Sequence, residues 1–201
     1  MSDTLWEMGT SPEMRHAQQL EYSVMMVSDI ATRYDRTVDA GDFLAASCML
    51  DAFYVHLRLL GDFLVMTTSG RDFGPAQFGV AWAVPTSEEA VRLAANWRTA
   101  SSYVVHFGRP RVAKSIEDLT QFEIGGPAFK AMARDGLKVF AVFLRALRIV
   151  TPDSDARVPD RTTEPGAWQD KVLADRTNFL RMSFVEACKR VGLDGERLLI
   201  G

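Results

Sequence analysis

A chain of 201 residues, 47% apolar and 24% charged, suits one folded domain with a single core and falls outside the disordered and low-complexity classes. Its formal net charge of −3 gives no overall attraction to nucleic acid or anionic membrane, so any polyanion binding needs a local basic patch. The two cysteines, Cys48 and Cys188, lack Cys-x-x-Cys spacing and sit in apolar helical patterns. They read as small hydrophobes in a reducing, cytoplasmic setting rather than as a disulfide framework.

Residues 1–10 carry no basic-then-apolar leader pattern and are expected to be flexible. Ser11-Pro12-Glu13 signals the first helix: a capping residue, a proline at the first helical position, and an acid against the dipole. Ala17, Leu20, Val24, Val27, Ala31 and Tyr34 follow at steps of three and four, the seam of a bundle helix. Asp42 is predicted to cap a second helix running to about Met66. That helix is apolar nearly all round and is expected to be the central element. Asp51, His56, Arg58 and Asp62 interrupt it, which favours a core helix over a membrane span.

Residues 67–85 form a long connection holding the aromatics Phe73, Phe78 and Trp82; loops of this length are functional or packed by their own side chains. Thr86 and Glu89 make a capping box for a third helix ending near Phe107, with Ala90, Ala94, Trp97, Ser101 and Val104 as its core stripe. A short helix is predicted over residues 115–122. Gly125-Gly126-Pro127 then precedes a fourth long helix to Val150, with Phe129, Met132, Gly136, Val139, Phe143 and Leu147 inward. Gly136 costs about 1 kcal/mol against alanine and predicts a close helix crossing there. Residues 151–165 read as a loop, and a fifth helix spans about residues 167–191, with Trp168, Val172, Leu180, Phe184, Ala187 and Val191 inward. No stretch alternates with period two. The expected fold is all-α, one up-and-down bundle of four or five helices over residues 1–201.

The chain has no Gly-rich phosphate loop, no His-Glu-x-x-His, no Gly-x-Ser-x-Gly and no metal-spaced cysteine set. Its most informative stretch is the second helix. Asp51, Arg58 and Asp62 share a face there, and a charge among apolar residues must be paired. Either Arg58 is neutralised by the two acids as a structural pin, or it offers its planar fork to an anion in a cavity. The third helix ends in His106, followed by Arg109 and Arg111, residues that also complement a helix C-terminus.

Side-by-side packing of the second and third helices would line one polar pocket with His56, Arg58, Asp62, His106, Arg109 and Arg111, and Trp82 from the long loop would close over it. Such a pocket suits phosphate or carboxylate, with His106, His56 and Arg58 as candidate catalytic groups. Lys130, Arg134, Lys138, Arg145 and Arg148 line one face of the fourth helix. They read as a solvated face, or as a dock for RNA or an acidic partner.

In the order His56, Arg58, Phe63, Asp72, Phe78, Trp82, His106 and Arg109, the stretch over about residues 50–111 resembles a small family of bacterial helical proteins to which no activity is assigned. The resemblance implies a shared polar site without naming its chemistry. A more distant likeness is to the HEPN superfamily of helical bundles, many of them metal-independent ribonucleases. Their mark is an Arg, four to six residues, then a His, whereas here seven residues separate Arg98 from His106. His16, His56 and His106 fall on three helices, similar to DinB-like bundles that hold a metal, although the DinB-like spacing is absent. The expectation is therefore a binding or regulatory module for an anionic ligand or a protein partner, without cofactor. RNA cleavage is the rival, and a homodimer is an expected assembly.

Overall fold

Helix α1, Pro12–Asp39, turns through Gly41 into α2, Phe43–Leu64. Gly41 adopts φ +76°, a left-handed conformation that glycine tolerates without strain, and Asp42 then accepts a hydrogen bond from Ala45 N at 3.0 Å as the expected cap. The chain continues with a 3-10 turn at Pro75–Phe78, then α3 at Glu88–Val105 and α4 at Gly126–Val150. It ends with α5 at Pro165–Arg190 and a short α6 at Gly195–Ile200. This computed structural model describes residues 12–66, 74–105, 125–150 and 165–201, and no strand occurs among them. The predictions for residues 1–10 and 115–122, and for the end of the third helix at Phe107, lie outside the described residues, as does most of the loop at 151–165.

The topology follows from a few contacts. Phe53 meets Phe129 and Phe63 meets Phe143, so α2 and α4 run parallel. Arg92 meets Asp135 and Glu89 meets Lys138, so α3 runs against α4. The start of α4 sits at the end of α1, where Asp35 accepts from Gly126 N at 2.7 Å and caps α4 from a neighbouring helix. Helices α1 to α4 thus form an up-down-up-down four-helix bundle. Helix α5 runs parallel to α1 through the pairs Arg176–Glu21 and Arg190–Asp29, and α6 packs against α4 and α5.

Burial matches the predicted seams of α1 and α4 except at Tyr34, which is half-buried: Ala17, Leu20, Val24, Val27 and Ala31 are buried, as are all six residues expected inward on α4. An aromatic spine joins the layers. Phe129 stacks on Phe53 at 4.3 Å and takes the edges of Tyr34 and Tyr54, and Phe143 gathers Phe63, Phe78, Trp82 and Phe140. On α5, Leu180, Phe184, Ala187 and Val191 are buried as expected, Val172 is half-buried, and the Trp168 side chain is outside the described residues.

Several expectations are corrected. The central helix is α4, which packs on every other helix: α6 lies on it, and α5, which packs chiefly on α1, touches it as well, whereas among the described residues one face of α2 is left exposed. Helix α3 is capped by Ser87, whose Oγ accepts from Ala90 N at 3.3 Å, one residue later than Thr86. Its buried face is Ala90, Leu93 and Ala100; Ala94, Trp97 and Ser101 are only half-buried, and the Val104 side chain is outside the described residues. The close crossing expected at Gly136 occurs at Gly61, where an added Cβ would lie 2.8 Å from Trp97 Cδ1; at Gly136 the nearest atom is Leu93 Cδ1 at 3.8 Å. Helix α6, capped by Asp194 through Arg197 N at 3.0 Å, was not anticipated, since six residues are too few to show a period.

Candidate functional site

His56 is nearly enclosed between α2 and α1. Its Nδ1 lies 3.1 Å from Ser23 Oγ, and the Tyr22 ring meets it edge-on at 4.9 Å. Burial lowers its pKa below the ordinary 6.5, so the ring is neutral near pH 7. Above the ordinary value both folded and unfolded chains hold it neutral. As pH falls through that value the unfolded chain takes the proton first, and stability is lost until the folded pKa is passed. The urea midpoint is therefore expected to drop as pH falls below about 6.5, with a shallower drop in His56→Gln. Equal slopes in the two proteins would assign the drop to other groups.

Arg58 and Asp62 lie on the opposite side of the helix from His56, at the edge of its outward face that borders α3. Their side chains are 33% and 38% exposed and approach to 3.6 Å, a loose pair. Asp62 is committed elsewhere: its Oδ1 accepts from Trp97 Nε1 at 2.6 Å. Arg58 Nε is buried and has no hydrogen-bond partner among the described residues. Two positions apart on a helix means about 200° apart around its axis, so His56 and Arg58 serve different neighbours and share no cavity.

The remaining predicted site residues do not join them. Trp82 donates from Nε1 to Leu64 O at 3.1 Å and packs on Phe143, so the described part of the long connection seals the far end of α2 rather than covering His56. His106, Arg109 and Arg111 lie outside the described residues, and with them the acid–base and metal readings that depend on His106. Among the described residues, no group of three or more His, Cys, Asp or Glu is placed to hold a metal.

The basic stripe of α4 lies at the surface, with Arg134 exposed, and three of its cations are also tethered within the bundle. Arg134 Nε donates to Val191 O at 2.6 Å, Arg145 Nη1 donates to Leu198 O at 2.5 Å, and Lys138 pairs with Glu89 at 3.2 Å. Two of these cations thus satisfy the carbonyl ends of α5 and α6, as helix C-termini require. Lys130 is half-buried, and the Arg148 side chain is outside the described residues. A two-bond cross-helix pair, Arg92 with both carboxylate oxygens of Asp135 at 2.8 and 2.9 Å, was missed because its members lie on separate helices.

Two surfaces stand out among the described residues. One is a concavity of about 560 Å³ between α4, α5 and α6, walled by Leu144, Met182, Val185 and Leu199 and rimmed by charges of both signs. The other is the outward face of α2. Phe43, Leu44, Cys48, Val55 and Leu59 are exposed on it, Leu44 to 78%, Val55 and Leu59 to 37% each, with Asp51 among them. Cys48 is therefore not the core hydrophobe expected; Cys188 is, and burial, then the charge of Asp194, pushes its thiol pKa up to about 12. Helix α2 is also the one helix among the described residues long and apolar enough to cross a membrane, and only 33% of its most apolar window is buried. Compared with known protein families, curated proteins and solved structures, the chain matches none.

Proposed function

We propose that the chain is a binding module that engages a protein partner through the outward face of α2. The observation carrying this reading is that the most apolar helix of the bundle has an uncovered apolar stripe. Leu44, Cys48, Val55 and Leu59 recur on it at helical spacing, so they form one strip rather than scattered exposures. Single exposed apolar residues are ordinary; a strip of them in register marks a contact surface. Asp51, Arg58 and Asp62 punctuate it with charge, which supplies register and specificity more than affinity. The alternative of an anionic ligand held by His56 and Arg58 has less support, since those side chains serve different helices. An exposed free thiol at Cys48 fits a reducing, cytoplasmic setting.

Photo-crosslinking tests the reading. A photoreactive residue at Val55 is expected to give adducts of discrete mass in the cells that make the protein. The same residue at Glu88, whose side chain is 90% exposed on α3, is expected to give none. No adduct at position 55, or equal labelling at both, overturns it.

A further inference from the structure

We infer that the concavity between α4, α5 and α6 is a binding site for a short aliphatic peptide with both of its ends free. The inference goes beyond the interaction reading above, since no residue of α2 lines this space. At about 560 Å³ the concavity falls within the size range of small-molecule sites, and Leu144, Val185 and Leu199 give it an aliphatic wall. Met182 stands at its edge with 67% of its surface in water.

The charges around that wall are sorted by sign. Helices α4 and α5 run antiparallel, Arg134 meeting Val191 and Phe140 meeting Phe184, so Arg145 comes level with about residue 180 of α5. One end of the concavity therefore holds Arg145 and Asn178. Arg145 is fixed by the bond from its Nη1 to Leu198 O, which leaves its other N–H groups, and no acid among the described residues pairs with it. Asn178 accepts from Arg181 through Oδ1, so its amide NH2 is left to donate. The other end holds acids. Glu186 lies eight residues beyond Asn178 on α5, about 12 Å along the axis. Glu196 joins it there, because Gly195 packs on Val185 before α6 runs back toward Arg145. Glu186 is also met by Arg190 at 3.4 Å, whereas Glu196 has no basic partner among the described residues, so Glu196 is the acid left for an ammonium. A ligand carrying one charge would answer only one end. An extended peptide of two to four residues spans about 7–14 Å. It would set its carboxylate on Arg145 and Asn178, its ammonium by Glu196, and its side chains on the wall between.

Amide chemical-shift mapping on the full chain, titrated with trileucine to about 5 mM, locates the site and reads its affinity. Shifts are expected to cluster at residues 144–145, 178–186 and 196–200. N-acetyl-trileucine and trileucine amide, each lacking one charge, are expected to bind about tenfold more weakly, and octanoate more weakly still. Met182→Trp, which fills the concavity from its exposed edge, is expected to abolish binding. Glu196→Gln is expected to weaken trileucine about tenfold yet leave N-acetyl-trileucine unchanged, the signature of a direct contact with the ammonium. Circular dichroism checks that each variant is folded. Absence of shifts, shifts centred elsewhere, or full binding by Met182→Trp overturns the site. Blocked peptides or octanoate binding as tightly as trileucine overturn the peptide as its ligand, and an equal loss for both peptides in Glu196→Gln overturns the place of the ammonium.

Discussion

Replacing Phe129 with alanine is expected to cost about 3–5 kcal/mol, a large share of the roughly 5–15 kcal/mol that holds a domain of this kind together. The residue is fully buried at the start of α4 and touches an aromatic ring on each of two other helices: Tyr34 of α1, and Phe53 and Tyr54 of α2. Its ring lies nearly flat on Phe53, at 4.3 Å and 21°, while the other two meet it by their edges. Alanine would leave a cavity walled by three rings, each anchored in a helix that cannot move inward without breaking its remaining contacts. Urea unfolding followed by circular dichroism measures the loss. Phe179→Ala is the control, because that ring is 56% exposed and its removal is expected to cost below about 0.5 kcal/mol. A smaller loss at Phe129 than at Phe179 would mean that the aromatic spine is not what joins these helices.

Periodicity made the long helices and their inward faces legible. A step of three and four needs no tertiary information, and Val24, Val27, Phe143 and Leu147 could be placed from it alone. The same signal failed on α2, where apolar residues all round pointed to a central helix wrapped by its own chain. Which helix is wrapped depends on where α5 and α6 pack, and no local pattern encodes that. The candidate site divided in a similar way. That His56 and Arg58 point apart follows from the helical turn alone, and the expectation of one pocket holding both overlooked it. That His56 would find Ser23, and Asp62 would find Trp97, required knowing which helices are neighbours. The cations of α4 show what composition leaves out: an arginine stripe at the surface also meets the carbonyls of two helix ends.

Two glycines on helices are expected to respond to substitution with opposite signs. Gly61→Val is expected to destabilise by about 3 kcal/mol, at the upper end of what overpacking a filled contact costs. The reason is where Trp97 sits. A Cβ at position 61 would lie 2.8 Å from Trp97 Cδ1 and 2.9 Å from Trp97 Cβ, and the second of these is fixed by the backbone of α3. The indole cannot swing aside without breaking its 2.6 Å bond to Asp62, so α2 and α3 would have to separate. A branched side chain worsens the clash. Gly136→Ala is expected instead to stabilise by about 1 kcal/mol, because its Cβ would rest at an ordinary 3.8 Å from Leu93 Cδ1 while the helix sheds glycine's conformational entropy. Thermal melts of the two variants beside the parent decide the matter. Loss at both positions would mean that α4 is packed more tightly on α3 than the 3.8 Å contact implies, whereas no loss at Gly61 would mean that the Trp97 crossing can open at little cost.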